Sequence, residues 1–212
     1  MLDLINSFAS FIQEGGVFMW VILIIWGVGI AIIIERFFSL YLKLDVNGTS
    51  VMNEIQKFVL SDDIPGAIKS CSGTKAAVPK VLKGALKRSN QSSHQIQNAI
   101  DANALEVIPK IQKRLPYLHL IANISTLFGL LGTIQGLIYS FSAVSEADPT
   151  EKASLLAAGI SQAMNTTALG LFSAITIMVF HAFLKAKADK IIGEIDEFAV
   201  KTMDLLGTKS SQ

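Results

Sequence analysis

An all-α integral membrane protein with three transmembrane helices is what this sequence predicts, and three observations carry that reading. Of the 212 residues, 51% are hydrophobic and 17% charged, and the mean hydropathy of +0.49 is well above that of a water-solvated domain. Residues 17–34, 117–145 and 153–184 contain no Asp, Glu, Lys or Arg. Seventeen of the 18 basic residues fall on one side of the layer that these stretches define. Strand alternation, internal repeats and low-complexity segments are absent from the sequence, which leaves helices as the only regular element.

The first segment, 1–16, has apolar residues at 2, 4, 5, 8, 9, 11 and 12 and no Lys or Arg, the pattern of a helix lying in the outer membrane interface. Residues 17–35 form transmembrane helix 1. The eighteen uncharged residues from Val17 give roughly 27 Å of helix, close to the hydrocarbon thickness of a bilayer. A cleaved signal peptide would need a basic start and a small-residue cleavage site, whereas Glu35-Arg36 follows this run.

Residues 36–116 read as a helical cytoplasmic region. Asn47-Gly48 precedes an amphipathic stretch at 51–60, and Ser61-Asp62-Asp63 supplies an N-cap for a short helix ending near Ser72-Gly73. Pro79 suits the start of the next helix, and Ser92 or Ser93 caps a longer one in which Pro109 and Pro116 are expected to place kinks. Transmembrane helix 2 covers 117–145, the outer loop 146–152, transmembrane helix 3 153–184 and a cytoplasmic C-terminal helix 185–212.

Orientation follows from the basic residues. Twelve lie in 36–116 and five in 185–212, against Lys152 alone in the 146–152 loop and none in 1–16. The positive-inside rule then puts the N-terminus and the loop outside and the C-terminus in the cytoplasm. The net charge of +1 gives no electrostatic bias toward nucleic acid. One cysteine, Cys71, cannot form an internal disulfide, no Cys/His cluster has metal-ligand spacing, and no nucleophile, base and acid converge. The expectation is therefore a non-enzymatic protein without cofactor or metal, in contact with membrane lipid.

Small and hydroxylated residues mark the faces that do not meet lipid. Ala122, Thr126, Gly129, Thr133, Gly136 and Ser140 recur at steps of four and three along the second span. Gly132 and Gly136, with Gly129 one turn away, permit close helix approach, whether within the chain or between chains. The third span crowds Gln162, Asn165, Thr166, Thr167 and Ser173 into about three turns and carries a stripe of Ala163, Thr167, Gly170 and Ala174. An antiparallel hairpin centred near Pro149 brings Thr133 to the depth of Thr166 and Thr167, as a hydroxyl-lined layer. Neither span has an ionisable acid or base of the Asp, Glu, Lys or Arg type. If the chain conducts ions, the carboxylate must come from a partner. His94, His119 and His181 are read by default as surface or packing histidines, although the last two lie near the same inner side.

The segment FGLLGTIQGLI at 128–138 resembles the GLLGTVxGMI signature of the MotA/TolQ/ExbB proton-channel family, and GISQAMNTTALGL at 159–171 resembles its companion GIAEALxATAxGL. The Glu35-Arg36 pair that closes the first span is similar to the family's as well. Three spans and a cytoplasmic region of modest length place the likeness on the ExbB/TolQ branch.

The resemblance implies a homopentameric bundle around two copies of a single-span ExbD/TolR/MotB-like partner, whose transmembrane Asp carries the proton, or a sodium ion in its place. It puts Thr133 and Thr167 on the pore-facing threonines, with Thr166, Gln162 and Asn165 beside them, and Gly129, Gly132, Gly136 and Gly170 in helix packing. Many members have Glu where this chain has Gln162, so no acidic relay is expected there. The implied role is an inner-membrane motor of a bacterial cell that converts ion-motive force into work on envelope machinery, through a TonB- or TolA-like protein. A non-conducting scaffold and a flagellar or gliding-type stator subunit are the alternatives.

Overall fold

The computed structural model of the chain describes residues 11, 12, 15–74 and 76–210. The interfacial helix expected over 1–16 lies largely outside them. Among the described residues every regular element is helical: α1 (Gly16–Phe38), a π-helical turn (Ser39–Leu44), α2 (Gly48–Leu60), α3 (Ile64–Ser72), α4 (Ala77–Leu86), α5 (Ser93–Gln112), α6 (Leu115–Glu146) and α7 (Lys152–Ser210). Three of the helices are long and apolar enough to cross a membrane. The chain is a multi-pass membrane protein.

Two compact units divide the chain. One joins Met1–Ile34 to Pro116–Ala182, the other joins Glu35–Leu115 to Phe183–Gln212. The first is the apolar one. Within it α1 buries Met19 and Ile22 against Leu169, Phe18 meets Phe128 at 6.0 Å between ring centroids and Trp26 meets Phe172 at 6.1 Å. Gly29 is the close-approach point, since a Cβ there would lie 2.6 Å from the Ile177 Cδ1.

The second unit is a polar-surfaced helical cluster. Met52, Ile55 and Val59 of α2, Val78, Val81, Leu82, Ala85 and Leu86 of α4, and Ile191, Ile195, Phe198 and Leu206 of α7 are buried at helical spacing. Asp63 accepts from the Gly66 N–H at 2.8 Å and caps α3. On α5, Glu106 accepts from Lys80 at 2.7 Å and Lys110 at 2.6 Å, and the two ammonium groups draw its carboxyl down to about 2. Burial pushes the Cys71 thiol up to about 11.

Two expectations are corrected here. The break in the long helical stretch falls between the two prolines: α5 continues through Pro109 to Gln112, and Arg114 turns the chain with φ 65°. Pro116 then sits in the first turn of α6, where its missing N–H leaves no hydrogen bond unmade. The guanidinium of Arg36, 4% exposed, holds this turn by donating to the Lys110 carbonyl at 3.3 Å, and Glu35 pairs with both Arg36 and Arg114. The second correction concerns residues 152–210, which form one 59-residue helix with no break near Leu184. Nothing in residues 180–190 is a helix breaker, and Leu184 and Ala188 keep the buried stripe in phase.

Candidate functional site in the helical hairpin

The hairpin of α6 and α7 is built on small residues. Its tip is closed by the Asp148 carbonyl, which accepts from the N–H groups of Glu151 and Lys152 at 2.9 and 3.2 Å. From there the helices zip in antiparallel register. The Ser140 hydroxyl donates to the Leu156 carbonyl at 3.2 Å, and a Cβ on Gly136 would meet Ala163 at 3.0 Å. On Gly132 a Cβ would strike the Thr166 Cγ2 at 2.3 Å, and on Gly170 it would strike the Gly129 Cα and the Ser125 carbonyl at 2.8 Å. Each facing pair is centred near Pro149, the register expected from the loop position.

The buried stripe of α6 differs from the one expected. Ala122, Ser125, Gly129, Gly132, Gly136 and Ser140 line the seam, whereas Thr126 is exposed and Thr133 half-buried. A run of small residues permits either of two neighbouring stripes, and the Gly170 backbone selects the one with Ser125 and Gly132, which packs closest. The four packing glycines, Gly129, Gly132, Gly136 and Gly170, thus join two helices of the same chain.

The hydroxyls divide by role. Thr166 is fully buried, and its Oγ1 donates to the carbonyls of Gly15 at 2.8 Å and Gln162 at 2.9 Å. Gln162 packs its amide over Gly16, where a Cβ would be 2.3 Å from Nε2 and where the φ of +73° already excludes most side chains. Together Thr166 and Gln162 hold the entry to α1 against α7. Thr167 is half-buried and donates to the Gly129 carbonyl at 3.0 Å and the Ala163 carbonyl at 3.3 Å. Thr133 donates to the Leu130 carbonyl at 2.5 Å. Asn165 is half-buried on α7.

Helical periodicity then sorts the faces. Thr126 and Thr133 lie roughly half a turn around α6 from Phe128, which packs on α1. On α7, Thr167 lies on the far side of the seam from Leu169 and Phe172, which also pack on α1. Thr133 and Thr167 thus share a level on the face of the hairpin that α1 leaves uncovered. Further along this face the rings of His119 and His181 stand 6.1 Å apart. The default surface or packing reading of these two histidines misses their pairing, whose sequence signal is a heptad ladder, 119, 126, 133 on α6 and 167, 174, 181 on α7, mirrored about position 150.

Comparison with known proteins places both motifs within a family match. Residues 74–197 match the model of the MotA/TolQ/ExbB proton channel family. The chain is 27% identical to the biopolymer transport protein exbB1 of Vibrio cholerae over 87% of its own length and 82% of that protein's. It is 34% identical to the Tol-Pal system protein TolQ of Haemophilus influenzae over 43% of this chain and 41% of that one. With the TolQ of Pseudomonas aeruginosa the identity is 31% over 47% and 43%.

Proposed function

Since the chain belongs to the MotA/TolQ/ExbB proton channel family, on its ExbB/TolQ-like branch, we propose that it is the ion-channel subunit of an inner-membrane motor that converts proton-motive force into work on envelope machinery. The observation that carries this reading is the pair Thr133 and Thr167, level with each other on the uncovered face of a hairpin that has no Asp, Glu, Lys or Arg between residues 117 and 145 or 153 and 184. A face that offers hydroxyls but no carboxylate inside a membrane fits a partner helix that brings its own acid.

In this reading five copies surround two single-span partners of the ExbD/TolR type, with the hairpins inward and α1 outward. The seventeen basic residues of 36–116 and 185–212 face the cytoplasm. When the partner Asp is ionised, the hydroxyls of Thr133 and Thr167 turn from the Leu130 and Gly129 carbonyls to donate to it; when it is protonated it passes into apolar surroundings and the hydroxyls return. Five subunits around two helices cannot match in symmetry, so each proton advances the inner pair by a step. One charge crossing supplies about 2.3 kcal/mol per 100 mV for that step. Gln162 and Thr166 serve α1 packing, and Asn165 flanks the hydroxyl layer.

Copurification of a tagged chain with the products of adjacent genes, followed by native mass spectrometry, tests the assembly. The expected result is five copies of this chain with two of a single-span protein that carries a transmembrane Asp. A stable complex of this chain alone, or with partners lacking a membrane-buried acid, contradicts it.

A further inference from the structure

Only two side chains in the three apolar stretches change charge near neutral pH, and they face each other. His119 of α6 and His181 of α7 stand 6.1 Å apart between ring centroids, fourteen residues along the helices from Thr133 and Thr167 and on the same ladder, with Thr126 and Ala174 between. The separation from the threonine level is about 21 Å along the axis, which sets the pair at the end of the spans opposite the Pro149 loop. Both rings are reachable from outside the chain, His119 exposed and His181 half-buried.

We propose that the His119–His181 pair is a proton-binding station at this end of the ion path, the point where a proton that has left the threonine level is held before release to bulk water. The proposal rests on the channel reading given above. The step is a simple proton transfer: a hydronium ion gives its proton to a ring nitrogen of a neutral imidazole, leaving water and an imidazolium, and another water then takes that proton away as hydronium. The charged groups nearest along the chain are Lys185, four residues after His181 on α7, and Arg114 and Lys113, five and six residues before His119. From Gly16 to Ile34 α1 carries no ionisable group, and between Pro116 and Ala182 the others are Tyr117 at the same end, Tyr139 further along α6, and Glu146, Asp148, Glu151 and Lys152 at the loop. The loop charges lie at the opposite end of the hairpin.

The test uses the complex purified from its own membranes through a tag on this chain, reconstituted into vesicles with a pH-sensitive dye inside. Proton uptake driven by a potential is followed from pH 5.5 to 8. For the H119Q/H181Q double variant we expect uptake at pH 7 to fall by at least about tenfold, its dependence on pH across this range to flatten, and the complex to keep its wild-type mass. A T133V/T167V complex measured in parallel reports on the channel reading: normal uptake there overturns that reading. Loss of uptake in T133V/T167V together with a wild-type rate and pH profile in H119Q/H181Q overturns the histidine station alone. Should the double variant not assemble, the single variants H119Q and H181Q decide, and an unaltered pH profile in both overturns the station.

Discussion

At the scale of single residues, hydroxyls of the same type do different work because of what stands opposite them. Thr166 meets the Gly15 carbonyl across the chain, so removing its oxygen leaves a buried acceptor unpaired. Thr166→Val is expected to destabilise the protein by about 1–3 kcal/mol, read as a drop of several degrees in the melting temperature of the detergent-solubilised complex. A melting temperature equal to wild type would show that the bond to Gly15 carries no stability. Cys71 gives a second residue-scale prediction. With its thiol pushed from an ordinary value near 9 up to about 11, the folded protein favours the protonated form. Its contribution to stability is complete below about pH 9 and is lost as pH rises from there toward 11. Native protein at pH 8 should therefore react with iodoacetamide far more slowly than unfolded protein; equal rates would place the thiol in contact with water.

At the scale of elements, the hairpin depends on glycines whose surroundings differ widely. Gly170 lies against backbone atoms of Gly129 and Ser125 that cannot yield, while Gly193, on the same helix, has nothing within 4 Å of where a Cβ would be. Gly170→Ala should cost about 1–3 kcal/mol through overpacking, and Gly193→Ala should stabilise α7 by up to about 1 kcal/mol through helix propensity. Thermal denaturation of the two variants should move in opposite directions, and a shift of the same sign would contradict the packing described for Gly170.

The three spans were legible from uncharged length, and the hairpin register from the position of the loop, because both depend on quantities that a sequence carries directly. The choice between two adjacent small-residue stripes on α6 was not, since Ser125 and Thr126, or Gly132 and Thr133, satisfy the same spacing. Only the contact with Gly170 and Thr166 decides between them. The turn at Arg114 was hidden for a different reason. Its left-handed backbone is unfavourable for arginine in isolation, and it accompanies long-range bonding of Arg36 to Lys110 and of Glu35 to Arg114.

At the scale of the whole molecule, orientation and ion coupling are the properties to measure. A cysteine at Ser145 should react with an impermeant reagent from the periplasmic side and one at Ser89 should not, with little background from the buried Cys71. The reverse pattern would invert the topology. The central claim is that Thr133 and Thr167 serve a charge supplied by another chain. Val keeps the shape of Thr and removes the hydroxyl, so potential-driven proton uptake by reconstituted complexes carrying Thr133→Val or Thr167→Val tests it most directly. The expected result is a loss of at least about tenfold, more than one neutral hydrogen bond would give, with subunit number and partner binding unchanged and with exposed Thr150→Val behaving as wild type. Uptake at the wild-type rate in the double Thr133→Val, Thr167→Val complex would contradict it.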